Sequence, residues 1–235
     1  MAQPQSQPLI RILEDGPLLV SGGVPLYRST ILTDADGFSV GYSEPVLVPT
    51  HGTYTLCRCG EALDGPFCDG THVETRFDGT EKADRRPFDE QAMRFPGPGT
   101  TLLDVLPLCA GTRHCTLAEG DTWELVEKSD DPHLRELAIR TAQLCPAGRL
   151  VVLDPATGAA LEPEHEPSIV LLEDPEVKTS GPIWVRGGIP VQSSDGTVHE
   201  VRNRVTLCRC GESHIKPFCD SVHIRLGWHE GKGKG

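Results

Sequence analysis

The stretch CRCGEALDGPFCDGTH, residues 57–72, decides how this chain is organised, because it recurs as CRCGESHIKPFCDSVH at residues 208–223. Both stretches have the order Cys-x-Cys, eight residues, Cys, three residues, His. Thiolates and an imidazole at a repeated spacing predict a metal site, since incidental buried cysteines would not repeat their spacing. The predicted ligands are Cys57, Cys59, Cys68 and His72 in the first copy and Cys208, Cys210, Cys219 and His223 in the second.

The spacing leaves the identity of the metal open. Three thiolates and one imidazole close a tetrahedral site around a single zinc ion. The same four groups can hold a two-iron cluster, with two ligands on each iron. Both alternatives remain open on the residues alone.

The two stretches resemble the CDGSH iron–sulfur (mitoNEET-like) family. The residues that match its signature are Cys57, Cys59, Pro66, Cys68, Asp69, Gly70, Thr71 and His72 in the first copy, and Cys208, Cys210, Ser213, Pro217, Cys219, Asp220 and His223 in the second. The departures are Ala62, Ser221 and Val222. The resemblance implies one [2Fe-2S] cluster in each copy. The Cys-x-Cys pair would bind one iron, and the third Cys and the His would bind the other.

The repeat extends beyond the metal-binding stretch. GPLLVSGGVPL (residues 16–26) has a near-copy in GPIWVRGGIPV (residues 181–191), which indicates two copies of a whole module. Alternating apolar residues flanked by Gly and Pro predict a short strand and a turn in each. The first copy is longer between this segment and its motif, and we expect its extra residues to form a loop around positions 34–41.

A different unit lies between the copies. Cys109, Cys115 and Cys145, the last in a CPAG run, make residues 95–158 resemble a divergent single-cluster ferredoxin domain. A ferredoxin cluster normally takes four thiolates, and three are present. A [3Fe-4S] cluster, a [4Fe-4S] cluster with a non-cysteine ligand such as His114, and no cluster at all therefore remain open. Within this unit, TWELVE (122–127) is predicted to be a strand, Asp131-Pro132 to begin a helix and residues 149–154 to form a closing strand.

We predict a strand-rich α+β fold of three parts. Residues 9–80 form the first CDGSH module, residues 95–158 the ferredoxin-like domain and residues 166–229 the second CDGSH module. Related family members pair two subunits, so we expect the two β-rich modules to form a pseudo-two-fold pair within one monomer. Residues 73–100 and 161–180 are predicted linkers. Residues 1–15 are predicted to be a flexible lead into a first strand, and the EGKGKG tail (230–235) to be disordered.

Composition limits the partners. The net charge of −12 argues against binding to nucleic acids or anionic membranes, which favour a basic surface. The chain shows neither a secretory signal nor an apolar run long enough to span a membrane. We therefore expect a soluble cytoplasmic protein. Four isolated histidines are predicted to lie at the surface, namely His51, His133, His165 and His199.

The expected function is one-electron transfer to or from a protein redox partner. The alternative is storage of iron–sulfur clusters and their transfer to an apo-acceptor protein. A third hypothesis, of a different class, is a zinc-stabilised structural interaction module. No Ser/His/Asp order, phosphate-binding glycine loop or paired carboxylates indicate catalysis, so we expect no enzyme activity and name no catalytic residue.

Overall fold

A computed structural model describes residues 7–232 of the chain as a strand-rich α+β fold. Residues 1–6 of the predicted flexible lead and residues 233–235 of the predicted tail lie outside the described residues. The first copy contains six strands and a short helix. These are β1 (Leu9–Ile12), β2 (Leu18–Ser21), β3 (Leu26–Thr33), β4 (Ser39–Tyr42), β5 (Val46–Val48), β6 (Tyr54–Leu56) and α1 (Thr71–Glu74).

The middle of the chain forms a separate set of elements. These are α2 (Phe88–Gln91), β7 (Met93–Pro96), β8 (Thr101–Asp104), a 3-10 turn (Leu106–Leu108), β9 (Thr116–Leu117), β10 (Gly120–Asp121), α3 (Thr122–Glu127), α4 (Pro132–Leu144) and β11 (Leu150–Leu153). Strands β11, β8 and β7 form a sheet in that order, and β9 pairs with β10. Helix α4 begins as predicted, because the Asp131 carboxylate accepts hydrogen bonds from the N–H groups of His133 and Leu134.

The second copy repeats the strands of the first with a shorter connection. Its elements are β12 (Ser168–Asp174), β13 (Thr179–Arg186), β14 (Val191–Gln192), β15 (Arg204–Leu207) and α5 (Val222–Leu226). The additional length of the first copy is the hairpin of β3 and β4, which includes the loop expected around residues 34–41. Among residues 7–232, no helix is long and apolar enough to cross a membrane.

The two copies share both of their sheets. Strand β14 of the second copy pairs in parallel with β1, in a sheet ordered β14-β1-β2-β6. Strand β3 of the first copy pairs in parallel with β12, in a sheet ordered β15-β13-β12-β3-β4. Each copy therefore supplies a strand to the sheet of the other.

One apolar core lies between these sheets. Alternate residues of β1 and β2, among them Ile10 and Val20, are fully buried, which is the pattern of strands with one face on a core. Ile169 and Leu207 of the second copy belong to the same cluster of buried side chains. Because residues from both copies fill a single core, both cysteine loops rest on one scaffold.

The strand predicted for TWELVE is wrong, since residues 122–127 form helix α3. Asp121 accepts a hydrogen bond from the Glu124 N–H at 2.9 Å, and the Glu124 carboxylate accepts one from the Asp121 N–H at 3.3 Å. This reciprocal pair is a capping box, which satisfies N–H groups that the first helical turn leaves unpaired. The Asp-x-x-Glu pattern was visible in the sequence and overrides the apparent alternation of apolar residues.

Both predicted linkers are shorter than expected. Strand β7 already belongs to the middle sheet, and FPGPG (95–99) contributes to a hairpin turn in which the Gly97 N–H donates to the Thr100 carbonyl at 2.8 Å. Strand β12 begins at Ser168 and is almost wholly buried, so the second linker ends before it. The tail also differs from its prediction at Glu230, whose carboxylate pairs with Arg28 at 2.6 Å and with Arg209.

Candidate metal centres

Each cysteine loop leaves a core strand and returns to it. Cys57 follows β6, and its N–H donates to the Pro66 carbonyl at 2.9 Å, while the Cys68 N–H donates to Thr55 of β6 at 3.2 Å. The second loop repeats both bonds, from Cys208 to Pro217 at 2.8 Å and from Cys219 to Thr206 at 2.9 Å. The distant third cysteine is therefore held beside the strand that delivers the first two.

The predicted ligands come together in pairs. The sulfur atoms of Cys57 and Cys59 lie 3.5 Å apart, and those of Cys208 and Cys210 lie 3.8 Å apart. The Cys68 sulfur lies 3.3 Å from His72 Nδ1. The equivalent distance, from Cys219 to His223 Nδ1, is 3.5 Å. In both copies Nδ1 is therefore the ring nitrogen that faces the thiol.

The pair distances suit two ligands on one metal. With a metal–sulfur bond of about 2.3 Å, two thiolates on a tetrahedral ion lie about 3.8 Å apart. Within residues 7–232, no three His, Cys, Asp or Glu side chains converge on a point that could hold a single ion. The donors thus match sites that take two protein ligands each, and soft thiolate donors are those that iron–sulfur clusters use.

Each Cys-x-Cys pair includes one unusually acidic thiol. A hydrogen bond from Cys59 lowers the pKa of Cys57 to about 6. A hydrogen bond from Cys210 similarly lowers the pKa of Cys208 to about 7. Because a thiol binds metal as a thiolate, this lowering of the pKa favours the binding form of one candidate ligand in each pair.

A buried arginine lies inside each motif. The Arg58 guanidinium, in a side chain that is 3% exposed, donates to the carbonyls of Leu13, Gly16 and Gly79 at 2.6 to 2.9 Å. Arg209 is equally buried and pairs with Glu173 at 3.2 Å. Burial lowers the pKa of Arg209 to about 10, which leaves it charged at neutral pH. The charge of Arg58, which among the described residues only carbonyl groups bind, would stabilise negative charge added to a metal bound beside it, whereas Glu173 and Glu230 balance the charge of Arg209.

The two loops touch each other. A side chain at Gly60 would put its Cβ 2.2 Å from the Cys210 carbonyl oxygen, and one at Gly211 would meet the Cys59 carbonyl at the same distance. The Trp228 indole N–H also donates to the Gly60 carbonyl at 2.9 Å. Only glycine permits this approach, so the two candidate centres are held back to back.

The third and fourth ligands differ in exposure between the copies. Cys219 is 2% exposed and His223 is 3% exposed, whereas Cys68 and His72 are both partly exposed. Cys219 packs with Ala110 and Ala147 of the middle unit, and a Cβ at Gly111 would lie 2.5 Å from Ile224 of α5. The middle unit therefore covers the second centre and leaves the first open.

The three middle cysteines lie next to the second centre. Cys145 packs against the cluster of side chains that contains Cys219. Burial raises the pKa of Cys115, and Cys145 and Cys109 raise it further through their charge, so the three thiols share one neighbourhood. They belong to the described residues, in which no three such side chains converge on a single ion.

His114 does not extend the set of middle cysteines. Its ring is 1% exposed and contacts β4, with Nε2 at 3.2 Å from the Gly41 carbonyl and Nδ1 at 3.4 Å from the Tyr42 hydroxyl. Both nitrogens thus face the first copy, and burial lowers the pKa of His114 to about 4. The fourth ligand suggested for the middle unit is engaged elsewhere.

Comparison with known families agrees with this arrangement of sites. The family described as iron-binding zinc finger of the CDGSH type matches residues 15–73 and 180–224, and a divergent 4Fe-4S mono-cluster family matches residues 96–155. The chain is an iron–sulfur protein with tandem CDGSH regions. In this tandem CDGSH protein the mono-cluster region is inserted between the two copies. No curated protein and no solved structure gives a significant match.

Sequence reasoning missed several residues around the centres of the tandem CDGSH protein. Arg58 and Arg209 occupy the same position in both motifs, so the repeat itself was a signal that could have identified them. His199 was predicted to lie at the surface, which is wrong. It is 7% exposed, its Nε2 lies 2.9 Å from a Glu81 oxygen and its ring packs edge-on against Phe218. No local pattern marked that contact, because Glu81 is far away in the sequence.

Proposed function

We propose that each copy binds a [2Fe-2S] cluster through its three cysteines and one histidine, and that the protein acts in one-electron transfer. The observation that carries the proposal is the pairing of ligands, Cys57 with Cys59 and Cys68 with His72, repeated in the second copy. A two-iron cluster takes two protein ligands on each iron. A structural zinc site would need all four donors around one point.

A bound cluster of this type supplies a one-electron carrier. The protein contributes the features that adjust the reduction potential of the cluster. An imidazole in place of one thiolate removes a negative charge and favours the reduced state. Buried Arg58, which donates to carbonyl groups, adds fixed positive charge in the same direction, whereas Glu173 and Glu230 balance the charge of Arg209. We expect a potential above that of an all-cysteine cluster and no catalytic activity of the protein on its own.

We further propose that the copies act as an internal pseudo-dimer in a monomeric protein. The exchange of β3 and β14 between the sheets supports this, because each copy completes the other. The reciprocal contacts of Gly60 and Gly211 support it as well. Two centres held back to back would exchange electrons readily.

The middle unit is proposed to be a ferredoxin-like domain with a third cluster, of the [3Fe-4S] or [4Fe-4S] type. Cys109, Cys115 and Cys145 are its candidate ligands, and the match to a mono-cluster family supports a cluster there. The packing of Cys145 near Cys219 would make it the neighbour of the second CDGSH centre. Electrons would then pass between the middle unit and the second copy, and on to the first.

The open face of the first copy is the proposed contact for a protein partner. Val73 is 71% exposed, and its equivalent in the second copy is Ile224, which the middle unit covers. Leu63 of the same motif is also exposed, and so are Asp64 and Glu74, the acidic residues that follow Leu63 and Val73 in the chain. An apolar patch with acidic neighbours favours a basic redox partner. We expect neither nucleic acid nor a membrane as partner, and a cytoplasmic location.

Cluster storage and transfer is the second candidate function. The partial exposure of Cys68 and His72 favours it, because an acceptor protein could reach the ligands of the first centre. Incubation with an apo-ferredoxin separates the two functions. A carrier passes its cluster to the acceptor within minutes, whereas an electron-transfer protein exchanges electrons with a partner and keeps its iron.

The first test is a visible spectrum of freshly purified protein, with iron, sulfide and zinc measured per chain. About four irons per chain would indicate two [2Fe-2S] clusters and a middle unit without one, and about seven or eight would indicate a third cluster. A colourless protein with about two zinc ions would instead mean that the modules are structural. That result would overturn the redox proposal.

A further inference from the structure

A cavity of about 360 Å³ lies beside the second cysteine loop, among three parts of the chain. Its walls come from residues 82–91, from the middle unit and from the second copy. The volume falls within the roughly 300–1,000 Å³ that is typical of small-molecule sites.

The lining combines an apolar floor with cationic side chains. Phe88, Leu108 and Phe218 provide apolar surface. Four cations and two carboxylates also line the cavity, and these are Lys82, Arg85, Arg86, Arg202, Asp84 and Glu200. This cationic excess is notable in a chain with a net charge of −12. The surface of the cavity thus suits a ligand that is largely apolar and carries a negative charge.

The two lining carboxylates already have partners. Asp84 binds Arg86 at 2.6 Å, and Glu200 accepts the Phe88 N–H at 2.6 Å. Lys82 forms no ion pair within residues 7–232. Lys82 is therefore a lining cation whose charge no ion pair among the described residues balances, which leaves it available to an incoming anion.

A second lining cation, Arg202, is held in place against the apolar surface of the cavity. The Arg202 guanidinium stacks over the Phe88 ring at 3.7 Å and donates to the Gly148 carbonyl. Burial lowers the pKa of Arg202 to about 10, which shows that the charge is poorly solvated yet retained at neutral pH. A desolvated cation against an aromatic ring attracts the π-face or carboxylate of a planar ligand.

We propose that this cavity binds a small organic anion with a planar apolar body and one acidic group. The body would lie against Phe88, Leu108 and Phe218, and the acidic group would face Lys82, because Arg85 is paired with Glu81 at 3.5 Å. Phe218 directly precedes Cys219, so an occupant would contact the loop of the second centre. The site requires the inserted unit and is independent of the function proposed for the clusters.

Calorimetric titration of the full chain, with its metal retained, tests the proposal. The probe is 1-naphthoate, and 1-naphthamide is its uncharged counterpart of nearly the same shape. We expect naphthoate to bind with a Kd below about 1 mM and naphthamide at least about tenfold more weakly, since the anion gains the cationic lining. Absence of naphthoate binding at that concentration, or equal affinity for the amide, overturns the proposal.

Paired variants locate the binding. Val198→Trp places a large ring in the cavity wall, whereas Val201→Trp makes the same change at a neighbouring exposed residue outside the lining. The first should weaken naphthoate binding at least about tenfold and the second by less than about twofold. Equal effects of the two variants would place the binding elsewhere and overturn the proposal.

A charge reversal decides the case if Val198→Trp fails to fold, which loss of the wild-type circular dichroism spectrum would reveal. Lys82→Glu changes an exposed side chain at the cavity, and Arg94→Glu makes the corresponding change on β7 away from it. Lys82→Glu should weaken naphthoate binding at least about fivefold more than Arg94→Glu. An equal loss in both variants would reflect net charge alone and overturn the proposal.

Discussion

The two CDGSH copies carry the same candidate ligands in the same pairs, yet they differ in the residues that pack over them. Ile224 and Cys219 of the second copy pack against the middle unit. The equivalent residues of the first copy, Val73 and Cys68, face solvent at least in part. Identical ligand chemistry in two environments makes the second copy an internal reference for the first.

A single residue illustrates how the difference arises. Arg204 of β15 is 1% exposed and donates to the carbonyls of Ala142, Cys145 and Leu150 in the middle unit. The equivalent position in the first copy, four residues before the motif, is exposed Thr53. The second copy thus has a buried charged attachment for the middle unit where the first copy has a short surface side chain.

The largest expected effect comes from removing that attachment. Arg204→Thr should lower the free energy of unfolding by about 3–5 kcal/mol, because several buried carbonyls and Glu162 lose their partner. Urea unfolding followed by circular dichroism measures the loss. Thr53→Arg is the matched control and should change stability by less than about 0.5 kcal/mol. A similar small effect of both variants would show that the middle unit is held by other contacts.

Replacing the candidate histidine ligand by cysteine should shift the reduction potentials of the two centres by different amounts. His72→Cys and His223→Cys each add a negative charge, so each should lower the reduction potential of its own centre by on the order of 100 mV. The shift should be larger for His223, because its surroundings are drier and screen charge less. Redox titration followed by electron paramagnetic resonance measures both. An unchanged potential in either variant would rule out that histidine as a ligand.

A smaller loss of stability is expected from adding a side chain at the contact between the middle unit and the second copy. Gly111 has φ +74°, and an added Cβ would meet Ile224 and Ser221. Gly111→Ala should therefore cost about 2 kcal/mol, of which about 1 is backbone strain. Gly37→Ala isolates the strain, since Gly37 has φ +87° and open space around it. Thermal or urea unfolding measures the free energy of unfolding of both variants. Equal losses in Gly111→Ala and Gly37→Ala would mean that the interface accommodates the added methyl group without loss of stability.

The smallest expected difference is in the rate of iron loss. A water-soluble chelator should remove iron from the first centre about tenfold faster than from the second, because Cys68 and His72 are accessible and their equivalents are covered. The decay of visible absorbance should then have two phases. Gly111→Ala should accelerate the slow phase only. A single phase in the wild-type protein would contradict the unequal cover.

Much of the local structure was predictable, because its causes lie close together in the chain. Asp131 and Pro132 begin α4 as expected, and the glycine-rich repeat forms a strand and a turn in both copies. Helix α3 was missed because its capping box was outweighed by an apparent strand pattern. The linkers were drawn too long because polar, Gly- and Pro-rich residues indicated loops, whereas β7 pairs with β8 across FPGPG and β12 pairs with both β13 and β3.

The features of the candidate centres also fall into two groups, those that short stretches of sequence encode and those that depend on distant residues. The ligand types and their spacing are properties of short stretches, and they suffice to predict paired thiols and a histidine at each loop. The burial of Arg58 depends on carbonyls as distant as Leu13, and that of Cys219 depends on Ala110 and Ala147. No local pattern encodes such neighbours.

The sequence by itself therefore determined which atoms can bind metal, how many times the site occurs and which families the parts match. Only the tertiary structure decided that the copies exchange strands, that their loops meet at Gly60 and Gly211, and that one centre is covered while the other is open. The physical reason is that ligand spacing is set along the chain. Burial and strand exchange are set by packing between segments that lie from tens of residues to more than a hundred residues apart.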